Sequence, residues 1–357
     1  MPSPAAEVDA GGRAVRVSNP DRVIYEESAH GPAVTKLEVV EFYVAVADGI
    51  MRALRDRPTA LERWPKGVRE GMRLATRTQD RDADAFYQKR MMKGAPSYVE
   101  PVEVTFPSGR TAEEMCPTEI AVVAWAAQMG ALTFHPWPCR RPDVDHPDEL
   151  RIDLDPQPGT DFADAARVAL VARDLLEELG LHGMPKTSGN RGVHVYVRLE
   201  PRWDFVDVRH AAIAFGRELE RRSELVTTAW WKEERGARIF VDYNQNARDR
   251  TIAGAYSLRP IAGAPVSTPL RWEELSETTP PELNLRTVPA RLAEHGDPYA
   301  SLDENPCSLE PLLALWEDQV AAGQGELPYP PDYPKMPGEP PRVQPSRKNP
   351  ANWEPGE

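Results

Sequence analysis

Two carboxylates two residues apart, Asp153 and Asp155 in Glu149-Leu-Arg-Ile-Asp-Leu-Asp-Pro156, stand inside an otherwise apolar run. Side chains alternate along a strand, so both acids share one face while Ile152 and Leu154 take the other. Neighbouring carboxylates repel, and burial sharpens the repulsion, so such a pair calls for a cation beside it. All-oxygen ligands suit Mg²⁺ or Mn²⁺. The same spacing also fits a strand end that meets solvent and turns at Pro156. A third acid, Asp242, closes another apolar run, Arg238-Ile-Phe-Val-Asp-Tyr243. If the two strands are neighbours, three carboxylates converge and can hold two ions, one activating a hydroxyl and one neutralising a leaving diphosphate. Taken alone, Asp242 only opens a loop.

Pro185-Lys-Thr-Ser-Gly-Asn-Arg-Gly-Val-His194 lies between a helical and a strand pattern. Gly189 and Gly192 let backbone N–H groups approach an anion, and Lys186, Ser188, Arg191 and His194 surround it with donors. The segment reads equally as a phosphate cradle without P-loop spacing or as a charged Gly-containing turn. His135 follows a strand-like run in Phe134-His-Pro-Trp137, where a histidine can also be structural. Arg235, Arg248, Arg250 and Arg259 flank Asp242. Phe86-Tyr-Gln-Lys-Arg90 sets aromatics beside basic residues, as base stacking next to phosphate contacts requires, although aromatic pairs on strands also fill cores.

The elements that must hold these residues follow from periodicity. Residues 34–48 have helical spacing with Thr35 as N-cap, and 118–130 form a second helix ended by Gly130. Short strands joined by loops are expected between Arg57 and Phe106. Strands are expected at 131–136, 150–155, 194–197 and 238–243, and helices at 162–179, capped by Asp161, 208–219 and 309–322. Alternating strands and helices indicate a mixed α/β core. Residues 327–341 are proline-rich, either a linker-like tail or a polyproline strap laid on the body.

A chain of 357 residues can bury a sizeable core as roughly two domains or one enlarged one. No apolar stretch approaches the roughly 18 residues of a membrane span, and Met1 to Glu7 lacks the basic and apolar regions of a signal peptide. A cytoplasmic monomer is expected. Three separated cysteines, Cys116, Cys139 and Cys307, fit reduced thiols. The net charge of −13 is unfavourable for nucleic acid, but it is uneven. Residues 261–357 carry 16 acidic and 7 basic side chains, whereas 181–260 carry 14 basic and 10 acidic. A local basic surface on an acidic protein is therefore open.

In order along the chain, Asn19-Pro-Asp-Arg-Val-Ile-Tyr25, Arg57-Pro58 with Glu62-Arg-Trp-Pro65, Phe86-Tyr-Gln-Lys89, Phe134-His-Pro136, Asp153-Leu-Asp-Pro156, Thr187-Ser-Gly-Asn-Arg-Gly-Val-His194, Val241-Asp-Tyr-Asn-Gln-Asn246 and Tyr256-Ser-Leu-Arg259 resemble the polymerase domain of bacterial ligase D. That family is the end-joining branch of the archaeo-eukaryotic primase superfamily. The similarity runs from about Val17 to about Leu275, and the chain is most similar to stand-alone actinobacterial primase-polymerases.

The resemblance implies an α+β fold, with a primase-like catalytic core built on an RRM-like sheet and a second, N-terminal α/β subdomain. The expected organisation is a flexible N-terminus at 1–16, a catalytic domain at 17–300 (N-terminal part 17–140, metal-bearing part 141–300), and an acidic, proline-rich extension at 301–357. It implies that Asp153, Asp155 and Asp242 are the metal triad, with Asp242 also helping to activate a primer 3′-hydroxyl. Ser188, Arg191 and His194 match the triphosphate loop, with Arg259, His135 and Gln245 in nucleotide contact. Phe86 and Tyr87 match the aromatic pair under the incoming base, Tyr87 standing where Phe is usual. Arg22 and Lys36 match the pocket for a downstream 5′-phosphate, and Arg63 and Arg235 match DNA contacts. Glu62 stands where the related polymerases often carry a lysine.

The implied activity is primer extension that fills short gaps or ends during end joining or base excision repair. It would use two Mn²⁺ or Mg²⁺ ions and NTPs in preference to dNTPs, on gapped or broken DNA bearing a 5′-phosphate, in association with the nucleoid and beside a separate ATP-dependent ligase and Ku. The rival readings are a metal-dependent phosphohydrolase or nuclease on the same acids, and a noncatalytic repair scaffold. The basic 188–194 loop disfavours the first, and clustered acids that repel phosphate disfavour the second.

Overall fold

The computed structural model describes residues 5–75, 80, 82–106 and 111–328. Strands and helices mix around two five-stranded sheets, as an α+β fold requires. Within the stretch 1–16, expected as a flexible N-terminus, the residues described from Ala5 onward are ordered: β1 (Ala5–Asp9) and β2 (Ala14–Ser18) form an antiparallel hairpin, anchored by the inward side chains of Val15 and Val17. After β3 (Val23–Tyr25) and β4 (Val34–Thr35), Thr35 caps α1 (Lys36–Ala45) in a capping box with Glu38. The helix breaks at Val46 and resumes as α2 (Ala47–Leu54).

The first large sheet contains β5 (Thr59–Arg63), β6 (Phe86–Gln88), β7 (Pro101–Thr105), β8 (Thr111–Met115) and, after α3 (Ile120–Gln128), β9 (Ala131–Pro136). Its centre is β5, which pairs antiparallel with both β6 and β9 and so gathers Glu62, Tyr87 and His135 on one surface. Helix α3 is buried along nearly its whole length and packs against α1.

The second sheet carries the acids. It is built from β10 (Glu149–Pro156), β11 (Gly183–Thr187), β12 (Val193–Arg198), β13 (Val226–Thr227) and β14 (Ile239–Val241), in the order β11-β12-β10-β14-β13. Helix α4 (Phe162–Glu178), capped by Asp161, and α5 (Phe205–Arg222), capped by Asp204, cover one face. The Asp204 cap starts α5 three residues before the expected Val208. Ile152, Leu154, Val193, Val195 and Val197 point into that core. Pro185 to Thr187, expected as part of a loop, belongs to β11. This is an edge strand, where a proline lacking its N–H is tolerated. The strand expected to reach Tyr243 stops at Val241, because Asp242 caps a 3-10 turn over Tyr243–Asn246. A short helix α6 (Lys232–Arg235) precedes β14.

Beyond the sheet, α7 (Val288–His295) packs against the first core and α8 (Glu310–Ala321) lies on α5. His210 stacks on Trp316 at 4.3 Å, and Gln319 Nε2 donates to the Ala214 carbonyl at 3.0 Å. The chain then crosses α5. Arg209 binds Glu326 and the Leu327 carbonyl, while the Pro328 carbonyl accepts from Tyr243 Oη and Asn244 Nδ2. Most of the proline-rich segment expected at 327–341 lies outside the described residues. The three cysteines are buried free thiols. No described helix is long and apolar enough to cross a membrane.

The opposite face of β10 is ionic along its length. Glu149, Arg151, Asp153 and Asp155 alternate with the apolar residues and face Arg198, Tyr196 and His194 of β12. At the Glu149 end, Arg57 donates to both oxygens of Asp148 at 2.6 and 2.9 Å and lies 3.0 Å from Glu149. Arg151 and Arg198 close on Glu149, and Arg140 and Arg198 on Asp148. Burial raises both carboxyls, but Arg57 foremost, with Arg198, outweighs it and holds them below the ordinary range. Their ionic stabilisation is therefore present above the unfolded carboxyl pKa of roughly 4 and is lost as the pH falls below it. Removing one partner leaves buried charge unpaired. Arg57→Met is expected to cost about 3–5 kcal/mol at pH 7 in urea unfolding, and the gap to wild type should close at acid pH.

Candidate active site

Strand pairing brings the three acids to one end of the second sheet. Leu154 of β10 is opposite Val241 of β14, and the Asp242 amide donates to the Asp153 carbonyl at 3.0 Å. Asp153 is largely enclosed. Burial, then repulsion from Asp242 and Asp155, raises its carboxyl well above the ordinary range. Burial also raises Asp242, opposed by Arg250 and by hydrogen bonds from the Asn244 amide at 3.1 Å and Gln245 Nε2 at 3.0 Å. Asp155 accepts from Gln157 Nε2 at 3.1 Å.

Among the described residues, no three His, Cys, Asp or Glu side chains already stand grouped as a metal-binding set. Like charges explain the spacing, since Asp155 and Asp242 each turn onto amide donors. The donors nevertheless fit a hard cation: all are carboxylate oxygens, and the raised Asp153 records a repulsion that a cation relieves.

Beside the acids runs the Ser188 to His194 loop. Ser188 Oγ accepts from the amides of Asn190 at 3.2 Å and Gly192 at 3.0 Å, which leaves its hydrogen to donate outward. The Gly192 amide is thus turned inward, not toward an anion. Gly192 is required for close approach, because a Cβ there would stand 2.8 Å from the Leu154 carbonyl. Gly189 has φ +74°, and a Cβ would meet Arg259 Cγ at 2.5 Å. Arg191 is exposed and His194 buried, its Nε2 3.5 Å from Asp153 Oδ1. Burial, with Lys186 and Arg259 adding to it, holds the His194 ring pKa well below its ordinary value.

Lys186 departs from the expectation that it helps surround an anion. As a β11 residue it is fully buried, with Nζ against His194 Nδ1 and Ser267. Arg259 lies between the two sheets: its charge acts on Glu62 and His135 as well as on Asp153 and His194, and its buried Nε has no hydrogen-bond partner among the described residues.

On the facing sheet, Glu62 Oε2 lies 3.2 Å from His135 Nε2, and Oε1 accepts from the Trp64 indole at 3.0 Å. Burial pushes His135 down and would push Glu62 up, but the His135 hydrogen bond holds Glu62 below the ordinary range, so a neutral imidazole donates to a carboxylate. Tyr87, 43% exposed, meets the His135 ring edge-on, and Arg63 stacks on Phe86 while donating to the Met129 carbonyl and Gln88.

Farther out, Lys36 Nζ donates to the Ser18 carbonyl at 2.7 Å and to Gln128, and burial followed by the neighbouring Arg22 lowers its pKa. Arg22 is exposed. Arg235 is buried instead of presented on an open surface. It donates to the carbonyls of Ala229 and Trp230 and to Gln157 Oε1, and lies 3.5 Å from the centre of the Phe240 ring. The chain Arg235–Gln157–Asp155 makes Gln157 a support of the acid pair, and only its position two residues after Asp155 could have pointed to it.

A family described as "LigD, primase-polymerase domain" matches residues 35–299. The multifunctional non-homologous end joining protein LigD of Mycolicibacterium smegmatis is 31% identical over 328 residues, which cover 90% of this chain and 40% of that protein. Its counterpart in Pseudomonas aeruginosa is 32% identical over 292 residues, 80% of this chain and 32% of the relative. The bifunctional LigD of Bacillus subtilis is 28% identical, and 45% of its length is covered. The chain therefore spans less than half the length of these relatives. The solved polymerase domain from Mycobacterium tuberculosis ligase D in complex with DNA superposes with a TM-score of 0.71 at 30% identity, covering 82% of this chain and 99% of that one.

The strained acids generate a prediction about stability. A carboxyl raised in the folded state destabilises the fold when charged, and that deficit disappears as the pH falls through its raised pKa. Asp153→Asn should therefore stabilise the protein at pH 7 by about 0.5–2 kcal/mol, with the gain fading in acid. Thermal melts with and without millimolar Mn²⁺ should also find a metal-dependent rise in wild type that the variant has lost.

Proposed function

Because the chain belongs to the LigD primase-polymerase domain family, whose members are metal-dependent DNA-directed nucleotidyltransferases, we propose that it extends primers on gapped or broken DNA, as in non-homologous end joining. The observation that carries the proposal is that strand pairing brings Asp153, Asp155 and Asp242 to one sheet end, beside the Ser188 to His194 loop. The reaction is attack of a primer 3′-hydroxyl oxygen on the α-phosphorus of an NTP or dNTP. One O–P bond forms, the bond to the β-phosphate oxygen breaks, and pyrophosphate leaves.

Asp153, Asp155 and Asp242 would hold two ions, Mn²⁺ in preference to Mg²⁺, and the ions would supply charge to lower the pKa of the attacking hydroxyl and to neutralise the leaving diphosphate. Asp242, braced by Gln245 and the Asn244 amide, would also help to activate the primer 3′-hydroxyl. Ser188, through its unengaged hydrogen, Arg191 and His194 bind the triphosphate, and Arg259 adds positive charge between the sheets. Phe86 and Tyr87 would receive the incoming base, Arg63, which stacks on Phe86, would contact the DNA beside it, and His135, held by Glu62, would contact the nucleotide. Arg22 and Lys36 bind a downstream 5′-phosphate, and Arg235 acts on the template side through Gln157 and the neighbouring loop. Residues 17–300 form the catalytic unit and 301–357 an extension. Ribonucleotides are preferred, and a separate ATP-dependent ligase, with Ku at the ends, would seal the product.

The test is extension of a labelled primer across a one- or two-nucleotide gap carrying a 5′-phosphate, with Mn²⁺ and each NTP or dNTP. Wild type should add nucleotides, and Asp153→Ala with Asp155→Ala should lose at least about 10³-fold, the scale of a missing electrostatic element. Equal extension by the two proteins, or none by wild type, would sink the reading. Lys36→Ala should weaken binding to 5′-phosphorylated gaps by roughly tenfold, the scale of one charge-assisted contact, and leave unphosphorylated gaps nearly unaffected. Equal weakening on both substrates would dismiss the phosphate pocket.

A further inference from the structure

Lys186 stands on the same face as the acids yet reaches no open surface. In register it is opposite His194, and His194 is opposite Asp153, so the three form one row across β11, β12 and β10. Lys186 Nζ lies 2.8 Å from His194 Nδ1 and 3.4 Å from the Thr187 carbonyl, and it also donates to Ser267 Oγ. Ser267 gives its own hydrogen to the Thr187 carbonyl at 2.8 Å, so toward Nζ it is an acceptor. Two oxygens thus accept from Nζ. Burial, with Arg259 adding to it, lowers the Lys186 pKa well below its ordinary value, and Asp153 opposes the fall. Kept as an ammonium, the group has a third N–H bond and no lone pair, and His194 Nδ1 then presents its lone pair to it. The ring proton lies on the other nitrogen, Nε2, which stands 3.5 Å from Asp153 Oδ1.

We propose that Lys186 is a positioning residue that locks His194 in its Nε2–H tautomer, so that the imidazole turns a donor toward Asp153 and the triphosphate side. The opposite tautomer would aim a lone pair at a carboxylate and a polyphosphate, both anionic. Which nitrogen of a histidine carries the proton is set by the partner of the other nitrogen, and Lys186 is that partner. The role assumes that the Ser188 to His194 loop receives the triphosphate; the tautomer itself does not depend on it.

Two-bond proton–nitrogen NMR spectra of ¹⁵N-labelled protein distinguish the tautomers of the seven histidines, and His194 is assigned by the signals missing from His194→Gln. Wild type without nucleotide should give the Nε2–H pattern. In Lys186→Met the pattern should change to Nδ1–H or a mixture, and KM for the NTP should rise on the order of tenfold, the scale of losing a supporting partner, with a smaller change in kcat. An Nδ1–H or doubly protonated His194 in wild type overturns the proposal whether or not Lys186→Met folds. An unchanged tautomer in folded Lys186→Met, or a changed tautomer with unchanged KM, overturns it as well. If wild type shows the Nε2–H pattern but adds no nucleotide to any primer, the polymerase reading fails and the tautomer assignment stands.

Discussion

Arg57 reaches the base of β10 from the segment leading into β5, and its contacts with Asp148 and Glu149 fix the strand on which the first two acids are displayed. A guanidinium is suited to this place because it stays charged when buried and its planar fork matches a carboxylate. Each sheet has its own main apolar core, and the first also takes in Tyr196 of β12 and Met184 of β11. The ion network adds direction. It ties the sheet bearing Phe86, Tyr87 and His135 to the sheet bearing Asp153 and Asp155, and at the end with the acids the charge of Arg259 acts on residues of both.

The alternation along β10 serves two ends of one strand. Ile152 and Leu154 anchor it to the core under α4 and α5, which leaves the opposite face free to be wholly ionic. At Glu149 the charges are mutually compensated; at Asp153 burial and the repulsion of Asp242 and Asp155 outweigh the opposing charges of Lys186 and Arg259. Such a gradient puts rigidity below and electrostatic tension above. It is the division expected where a stable scaffold holds a site complementary to something other than itself.

Much of this was legible in the chain before folding was considered. The alternation that put Asp153 and Asp155 on one face, the Thr35 and Asp161 caps, and the helix on α5 all rest on local chemistry that a short window contains. What escaped were relations between windows. Lys186 looked like a loop donor because Pro185 and Gly189 read as turn residues, and only the pairing of β11 with β12 buries its ammonium against His194. Arg235 looked like a surface cation because nothing in its own segment announces Gln157 or the ring of Phe240 as partners. The hairpin at Ala5 to Ser18 was missed because small and polar residues carry little periodic signal, and its order comes from Val15 and Val17 meeting a core assembled elsewhere.

The crossing of α5 by Glu326 to Pro328 has a temporal meaning. The turn after Asp242 is held partly by the Pro328 carbonyl, which accepts from Asn244 across 84 residues of sequence, and by Arg209, which touches Asn244 on one side and Glu326 on the other. As the chain emerges from the ribosome, the sheet with Asp153 and Asp155 can close long before those carbonyls exist, whereas the turn after Asp242 gains these contacts only when they arrive. The third acid is therefore the last of the three to acquire its full surroundings, and the order of synthesis imposes an order of maturation on the site.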